Sequence, residues 1–176
     1  MRVLIIGINH QIQSATIGWS NDPKAQAFMD DQKRRFATLL RTEMRERGVR
    51  FVGEETRHGD TSIAEGVCGE ETIRYSNIEM SPEARAQANI PPGYNEDEAV
   101  SDADKSRWNR QREEFMLNAT IAGAGQVESV LVICGNMHTA PIAAGLRGLG
   151  HHAEVLDLQT QDWYVEDWFG HMMHNL

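Results

Sequence analysis

The stretch Val130–His138 (VLVICGNMH) constrains the fold of this chain more than any other segment. Five apolar residues run without interruption and stop at Gly135, and such a run predicts a strand buried on both faces. Thr139 and Pro141 are suited to the first turn of a following helix. His138 is therefore predicted at the carboxyl end of a central strand, where open α/β sheets bind their ligands.

The amino terminus repeats this arrangement. Residues 2–6 (RVLII) predict a strand, and Gly7 and His10 follow it at the spacing that separates Gly135 from His138. The Gly-X-X-His spacing carries little information by itself. Because each pair comes directly after an apolar strand, the context predicts two imidazoles at one edge of a parallel sheet.

Strands alternate with helices along the chain, which is typical of a parallel sheet whose strands are joined by right-handed crossovers. We therefore predict an α/β fold with a mostly parallel central sheet of about five strands, flanked by helices, in a single domain over residues 1–176. The predicted strands span residues 3–6, 49–52, 72–78, 129–134 and 153–158. The predicted helices span residues 25–47, 63–67, 102–123 and 140–149, and Ser81 with Pro82 marks a further helix start.

Local signals refine this outline. Ser62 and Glu65 match a capping box at the start of a short helix. Residues 11–23 and 90–101 are rich in turn-forming residues and are predicted as loops, the first of them over the site. The apolar residues that the helix over 102–123 is predicted to bury are Trp108, Phe115 and Ala119.

The composition limits the classes of partner. The chain has 17 basic and 26 acidic residues and a net charge of −9, which argues against nucleic acid or an anionic membrane surface as the main partner. No segment approaches the roughly 18 consecutive apolar residues of a membrane span. Cys68 and Cys134 are the only cysteines, and Cys134 lies within the apolar run, so a reducing, cytoplasmic compartment is the simpler expectation.

Acidic and imidazole side chains follow four of the predicted strands. His10 follows the first strand, Glu54 and Glu55 follow the second, Glu79 follows the third, and His138 follows the central strand. Because parallel strands end at a common edge, we expect these side chains in one cleft. Adjacent residues of an extended chain point in opposite directions, so only one of Glu54 and Glu55 is expected to face it, and the sequence leaves that choice open.

This set of residues suits either of two chemistries. His10, Glu54 and His138 could hold a divalent metal that activates a water molecule, and Mn, Co, Zn and Fe are all compatible with such ligands. Alternatively, a His–Glu pair, with Glu54 or Glu55 as the carboxylate, could act as a general base without a metal.

Further side chains could contact a substrate. Asn9 comes directly before His10, and Asn136 comes two residues before His138. The amide of either asparagine could donate to an oxyanion. Arg85 could neutralise a substrate carboxylate, although Glu79 and Arg85 are also placed for a simple ion pair at a helix start. The adjacent carboxylates Glu113 and Glu114, like other paired glutamates, are interpreted as solvated surface.

Four motifs carry a family resemblance, namely GINH at 7–10, GEE at 53–55, GNMH at 135–138 and GLGHHAEVL at 148–156. They resemble the TIKI/TraB superfamily, which includes ChaN-like and erythromycin-esterase-like proteins, and this chain would be a short member. The resemblance implies an α/β fold with His and Glu residues in one cleft. Its members include metal-dependent proteases, an esterase and a haem-binding lipoprotein. The resemblance maps His10, Glu54 or Glu55, and His138 to active-site positions. It adds Glu79 and Arg85 as further candidates for the same site.

The sequence therefore predicts a hydrolase that cleaves an ester, amide or peptide bond in a small-molecule or peptide substrate. The alternative is a non-catalytic module that binds a small ligand or haem. The aromatic residues of the segment 163–169 are a candidate contact for a homodimer.

Overall fold

A single parallel sheet forms the centre of this α/β domain. The computed structural model describes residues 1–15 and 22–166. The strands are β1 (Arg2–Gly7), β2 (Phe51–Glu54), β3 (Arg74–Asn77), β4 (Ser129–Cys134) and β5 (His152–Leu156). Their order in the sheet is β3-β2-β4-β1-β5, and all four pairings between neighbours are parallel. The predicted fold class is therefore confirmed, and β4 has the bounds that its apolar run predicts.

Helices cover both faces of the sheet. They are α1 (His10–Gln13), α2 (Pro23–Glu46), α3 (Ile63–Glu71), α4 (Pro82–Gln87), α5 (Asp102–Ala124) and α6 (Asn136–Gly148). Along β1, Leu4 packs with α2 and α3, whereas Val3 faces the core that α5 and α6 complete. This alternation is the period of two expected of a strand that is buried on both faces.

The crossovers of the sheet diverge between β1 and β4. These strands are direct neighbours, and Gly7 pairs with Cys134 at their carboxyl ends. The chain leaves β1 through α2 on one face, and it leaves β4 through α6 on the other face. In an open parallel sheet, the position where the connections diverge forms a crevice that binds ligands. His10 and His138 follow the two strands that border this crevice.

Side-chain caps set several of the helix starts. The Ser62 hydroxyl accepts from the backbone N–H of Glu65 at 2.9 Å, and the Ser81 hydroxyl accepts from that of Ala84 at 3.2 Å. Both predicted helix starts are therefore confirmed. Within the described residues, no helix is long and apolar enough to cross a membrane.

Two predictions about the site loops were wrong. Residues 11–23 are not a continuous loop, because α1 begins at His10 with the Asn9 side chain as its cap; residues 16–21 lie outside the described part of the chain. Helix α6 begins at Asn136 and not at residue 140, so His138 lies in its first turn. Each histidine is thus held by a helix start rather than by a loop.

The buried face of α5 also differs from the prediction. Phe115 is 37% exposed, and the buried positions of this helix recur every four residues, at Arg112, Met116, Thr120 and Ala124. Arg112, the charged residue at the start of this series, has buried partners at the site. Because the helix turns this face inwards, Phe115 lies towards solvent. Of the aromatic segment 163–169, which the sequence offers as a candidate homodimer contact, residues 163–166 form no helix and the remainder lies outside the described residues.

A close helix–sheet contact leads to a test of this packing. A Cβ atom at Gly123 of α5 would lie 2.3 Å from Cζ of Phe51, whereas one at Gly66 of α3 would meet nothing within 4 Å. Gly123→Ala should therefore lower the free energy of unfolding by about 1–3 kcal/mol. Gly66→Ala, the matched control, should raise it by up to about 1 kcal/mol because alanine favours a helix. Urea unfolding measures both, and equal effects of the two variants would contradict the described contact.

Candidate active site

The carboxylate of Glu55 is the centre of the candidate site. Glu55 is the first residue after β2, and its side chain is 3% exposed. Its Oε1 atom lies 3.8 Å from Nε2 of His10 and 3.6 Å from Nε2 of His138. The two Gly-X-X-His motifs, which come from opposite ends of the chain, therefore bring their imidazoles to one carboxylate oxygen.

Two further groups hold this carboxylate in place. Nη2 of Arg112 donates to Oε1 of Glu55 at 2.6 Å, and the backbone N–H of Gly135 donates to Oε2 at 2.8 Å. Gly135 is the N-cap of α6, so Glu55 supplies the negative charge that a helix amino terminus favours. A Cβ atom at Gly135 would lie 3.1 Å from Nε2 of His10, so glycine permits the close approach of this imidazole.

The two histidines have different environments. The His10 side chain is 57% exposed, and its Nδ1 lies 2.5 Å from Oε1 of Gln13 in the same short helix. The His138 side chain is 2% exposed, and its Nδ1 lies 2.9 Å from Oε1 of Glu113 in α5. Only His10 of this pair is therefore open to a substrate from solvent, while His138 is enclosed between two carboxylates.

Arg112 also binds a second carboxylate. Its guanidinium donates to both oxygens of Glu79, and its Nη1 donates to the Tyr94 hydroxyl at 3.3 Å. Burial raises the pKa of Glu79, but the hydrogen bond and charge of Arg112, together with the charge of Arg85 and the Met80 N–H, hold this pKa below its usual range. Arg85 pairs with the same carboxylate at 2.9 Å. The buried carboxylates of Glu55 and Glu79 thus have two guanidinium partners between them, Arg112 and Arg85.

Glu54 points away from this group. Its Oε2 accepts from the Tyr75 hydroxyl at 2.7 Å, and its Oε1 accepts from Nε2 of Gln13 at 3.2 Å. The residue is completely buried, and burial raises the pKa of its carboxyl group to about 7 despite these hydrogen bonds. The sequence leaves open which of the two glutamates faces the cleft. In the structure Glu55 lies with the histidines, and Glu54 contacts Tyr75 and Gln13 instead.

The remaining predicted site residues have local partners. Oδ1 of Asn9 accepts from the backbone N–H of Gln11 at 3.0 Å, which caps α1. Nδ2 of Asn136 donates to Oε1 of Glu166 at 2.6 Å. Arg85 keeps its ion pair with Glu79, the simpler of its two interpretations. The structure therefore unites His10, Glu55, Glu79 and His138, and it gives the two asparagines structural roles.

Sequence reasoning missed three side chains of the site. Arg112 was not singled out, Gln13 was placed in a loop, and Glu113 was interpreted as solvated surface although its side chain is only 15% exposed. The one available signal was the four-residue spacing from Arg112 to Met116, which places the arginine on the buried face of α5. Nothing in the sequence around Gln13 indicates its contacts with Glu54 and His10.

The described residues do not fit the predicted metal site. They contain no group of three or more His, Cys, Asp or Glu side chains that could hold a metal ion. Of the predicted ligands His10, Glu54 and His138, the glutamate faces Tyr75 and Gln13 instead. The oxygen that faces both imidazoles is paired with the guanidinium of Arg112, and that positive charge would repel a cation placed there.

The pairing of Arg112 can be tested by removing its charge. Arg112→Met leaves Glu55 and Glu79 buried without their shared cation, and we expect the free energy of unfolding to fall by about 3–5 kcal/mol. Arg110→Met, at an exposed position of the same helix, should change it by no more than about 0.5 kcal/mol. Chemical unfolding of both variants makes the comparison. A small effect of Arg112→Met would mean that the guanidinium does not stabilise the site.

The raised pKa of Glu54 leads to a test by pH. Its carboxyl group has a pKa of about 7 in the folded protein against an ordinary 4.5, so folding favours its protonated form. The stability that this proton confers is present below pH 4.5 and is lost as the pH rises through 7. Glu54→Gln should therefore gain stability relative to the parent between pH 5 and pH 8, by up to about 3 kcal/mol.

Unfolding titrations at the two pH values measure this gain. Glu114→Gln, at an exposed position, is the control and should show the same difference from the parent at both. A Glu54→Gln effect that does not depend on pH would contradict the burial of an ionisable carboxyl group at this position.

The group around Glu55 combines one exposed imidazole, one buried imidazole, a carboxylate and a guanidinium at the crevice between β1 and β4. Such a set can accept a proton from a substrate and stabilise the charge that results. Comparisons of the chain with protein-family models, with curated proteins and with solved structures gave no match, so the chemistry of this site follows from its own side chains.

Proposed function

We propose that this protein is a hydrolase that cleaves an ester, amide or peptide bond, with His10 as the general base. One observation carries the proposal. Nε2 of a solvent-exposed imidazole lies 3.8 Å from a buried, fixed carboxylate at the crevice of a parallel sheet. A base of this kind must reach the proton that it removes, and the 57% exposure of the His10 side chain allows that.

Glu55 supports the base through its charge. When His10 takes a proton it becomes a cation, and the negative carboxylate beside Nε2 stabilises that cation. Arg112 and the Gly135 N–H hold the carboxylate, so it does not have to reorganise during the reaction. His138 is too buried to meet a substrate, and its ring separates the carboxylates of Glu55 and Glu113.

The proposed reaction has two steps. Nε2 of His10 removes a proton from water as the water oxygen forms a bond to the carbonyl carbon of the substrate, and the π pair of the carbonyl moves to its oxygen until the second step re-forms the double bond. The bond from that carbon to the leaving oxygen or nitrogen then breaks, and the imidazolium returns its proton to the leaving group. No metal takes part, because the guanidinium of Arg112 occupies the carboxylate oxygen at the centre of the site.

Two further observations support the proposal. The Arg85 side chain is 29% exposed while it is paired with Glu79, so it is available to a carboxylate or a developing negative charge of a substrate. The motifs around His10, Glu55 and His138 resemble those of the TIKI/TraB superfamily, which includes proteases and an esterase. We include membership of that superfamily in the proposal.

A substrate screen tests the function. Tag-free protein is offered a broad panel of esters, amides and peptides, and we expect turnover of at least one class. His10→Ala should lower kcat/KM by about 100-fold or more, the contribution typical of a general base. His138→Ala should also lower it, because Glu55 loses a neighbour that orders it. His152→Ala is the control, because this exposed residue lies at the opposite end of the strands and its substitution should leave kcat/KM unchanged.

Two outcomes would overturn the proposal. Full activity of a folded His10→Ala variant would remove the proposed base. A screen without turnover, together with a Soret band on addition of haem, would favour the alternative of a non-catalytic binding module.

The same screen decides the role of a metal. We expect a chelator such as EDTA to leave the activity unchanged, and added Mn, Co, Zn or Fe ions not to increase it. Activity that is lost on chelation and restored by one of these ions would contradict the metal-free reaction and favour the metal site that the sequence predicts.

A further inference from the structure

The side chain of Gln13 connects three groups of the candidate site. It is the last residue of α1 and is 1% exposed. Its Nε2 lies 3.2 Å from Oε1 of Glu54 and 3.2 Å from the backbone oxygen of Glu55, and its Oε1 lies 2.5 Å from Nδ1 of His10. A buried amide is thus placed directly behind the exposed imidazole.

The partners of Gln13 fix the orientation of its amide group. A backbone carbonyl oxygen can only accept a hydrogen bond, so the atom that faces the Glu55 carbonyl must be the NH₂ nitrogen. The Glu54 carboxylate accepts from the same nitrogen. If the amide were flipped, its oxygen would lie against the Glu55 carbonyl oxygen, which cannot donate, and Nδ1 of His10 would face an NH₂ group. The oxygen of Gln13 therefore faces His10.

This orientation determines which nitrogen of His10 carries the proton. The amide oxygen only accepts, so Nδ1 of His10 is the donor and bears a hydrogen. A neutral imidazole has one N–H group, so Nε2 keeps its lone pair. Oε1 of Glu55 lies 3.8 Å from this nitrogen, a separation at which one water molecule can donate a hydrogen to each atom.

We propose that Gln13 is a positioning residue that fixes the Nδ1–H tautomer of His10 and so leaves Nε2 free to act as the base. This inference rests on the proposed function and adds to it the group that prepares the base. Glu54 acts one step further away, because it holds the NH₂ group of Gln13 and is itself held by the Tyr75 hydroxyl at 2.7 Å.

An amide has an advantage over a carboxylate at this position. Glu54 and Glu55 are both buried close to Gln13, and burial already disfavours the charged form of Glu54, so a further carboxylate there would be disfavoured by burial and by the charge of Glu55. Glutamine orders the imidazole without adding such a charge. Its two N–H bonds to Glu54 and to the Glu55 carbonyl also tie α1 to the end of β2, so the base and its carboxylate partner are held by the same side chain.

Nitrogen NMR of the whole protein tests this inference without a substrate. In protein with ¹⁵N-labelled histidine, a protonated and a bare ring nitrogen have well-separated shifts, and the His10→Ala spectrum identifies the His10 signals. At a pH where its own titration shows the ring to be neutral, His10 of the parent protein should be the Nδ1–H tautomer. A parent protein with the Nε2–H tautomer would overturn the inference by itself.

Two variants with the same substitution complete the test. Gln13→Met keeps the length of the side chain but removes the acceptor, so His10 should change to the Nε2–H tautomer or to a mixture. Gln11→Met, in the same helix, should leave the tautomer unchanged, since Oε1 of Gln11 has no hydrogen-bond partner among the residues that the structure describes. An unchanged His10 spectrum in folded Gln13→Met would overturn the inference.

Activity gives a second readout. If the screen identifies a substrate, Gln13→Met should lower kcat by about tenfold or more with little change in KM, because the base and not the binding of substrate is impaired. The two proposals fail separately. An Nδ1–H tautomer in a protein whose activity survives His10→Ala would refute the proposed function and leave the role of Gln13 in ordering the imidazole intact.

Discussion

The structure of this site depends on one buried guanidinium between two buried carboxylates. Glu55 and Glu79 follow neighbouring strands, and the burial of a carboxylate is costly unless a cation lies beside it. Arg112 of α5 binds both and also donates to the Tyr94 hydroxyl. Because a guanidinium has five N–H groups in a fixed plane, it can serve three partners at once, which an ammonium group cannot do with the same geometry.

The contacts of Arg112 also determine the arrangement of the side chains that lie between it and the surface. Glu55 is fixed, and His10 and His138 approach the same oxygen of it from β1 and β4. Hydrogen bonds hold the two buried partners in place, and the imidazole of His10 is the member of this trio that is most open to solvent. An arrangement in which polar groups are oriented before the substrate arrives is the condition under which they stabilise developing charge most strongly.

Much of this fold could be predicted because local patterns determine it. The bounds of β4 and the convergence of His10 and His138 follow from an apolar run and from the common edge of parallel strands. The roles of Arg112 and Glu113 could not be predicted, because charged residues in a helix are normally solvated and their burial depends on partners far away in sequence. Alternation along a strand likewise separates Glu54 from Glu55 but does not say which of them faces the histidines.

The position of β4 in the sheet has a consequence for how the protein acquires its structure. β1 and β2 leave the ribosome before β4, but they are not neighbours, since β4 lies between them. Until β4 has been synthesised, β1 has no hydrogen-bonding partner on that side, and only β2 and β3 can pair. Such non-local pairing makes assembly slow and leaves strand edges open to other chains meanwhile. A nascent chain that ends before Ser129 therefore contains most of the residues of the cleft and cannot yet bring them together.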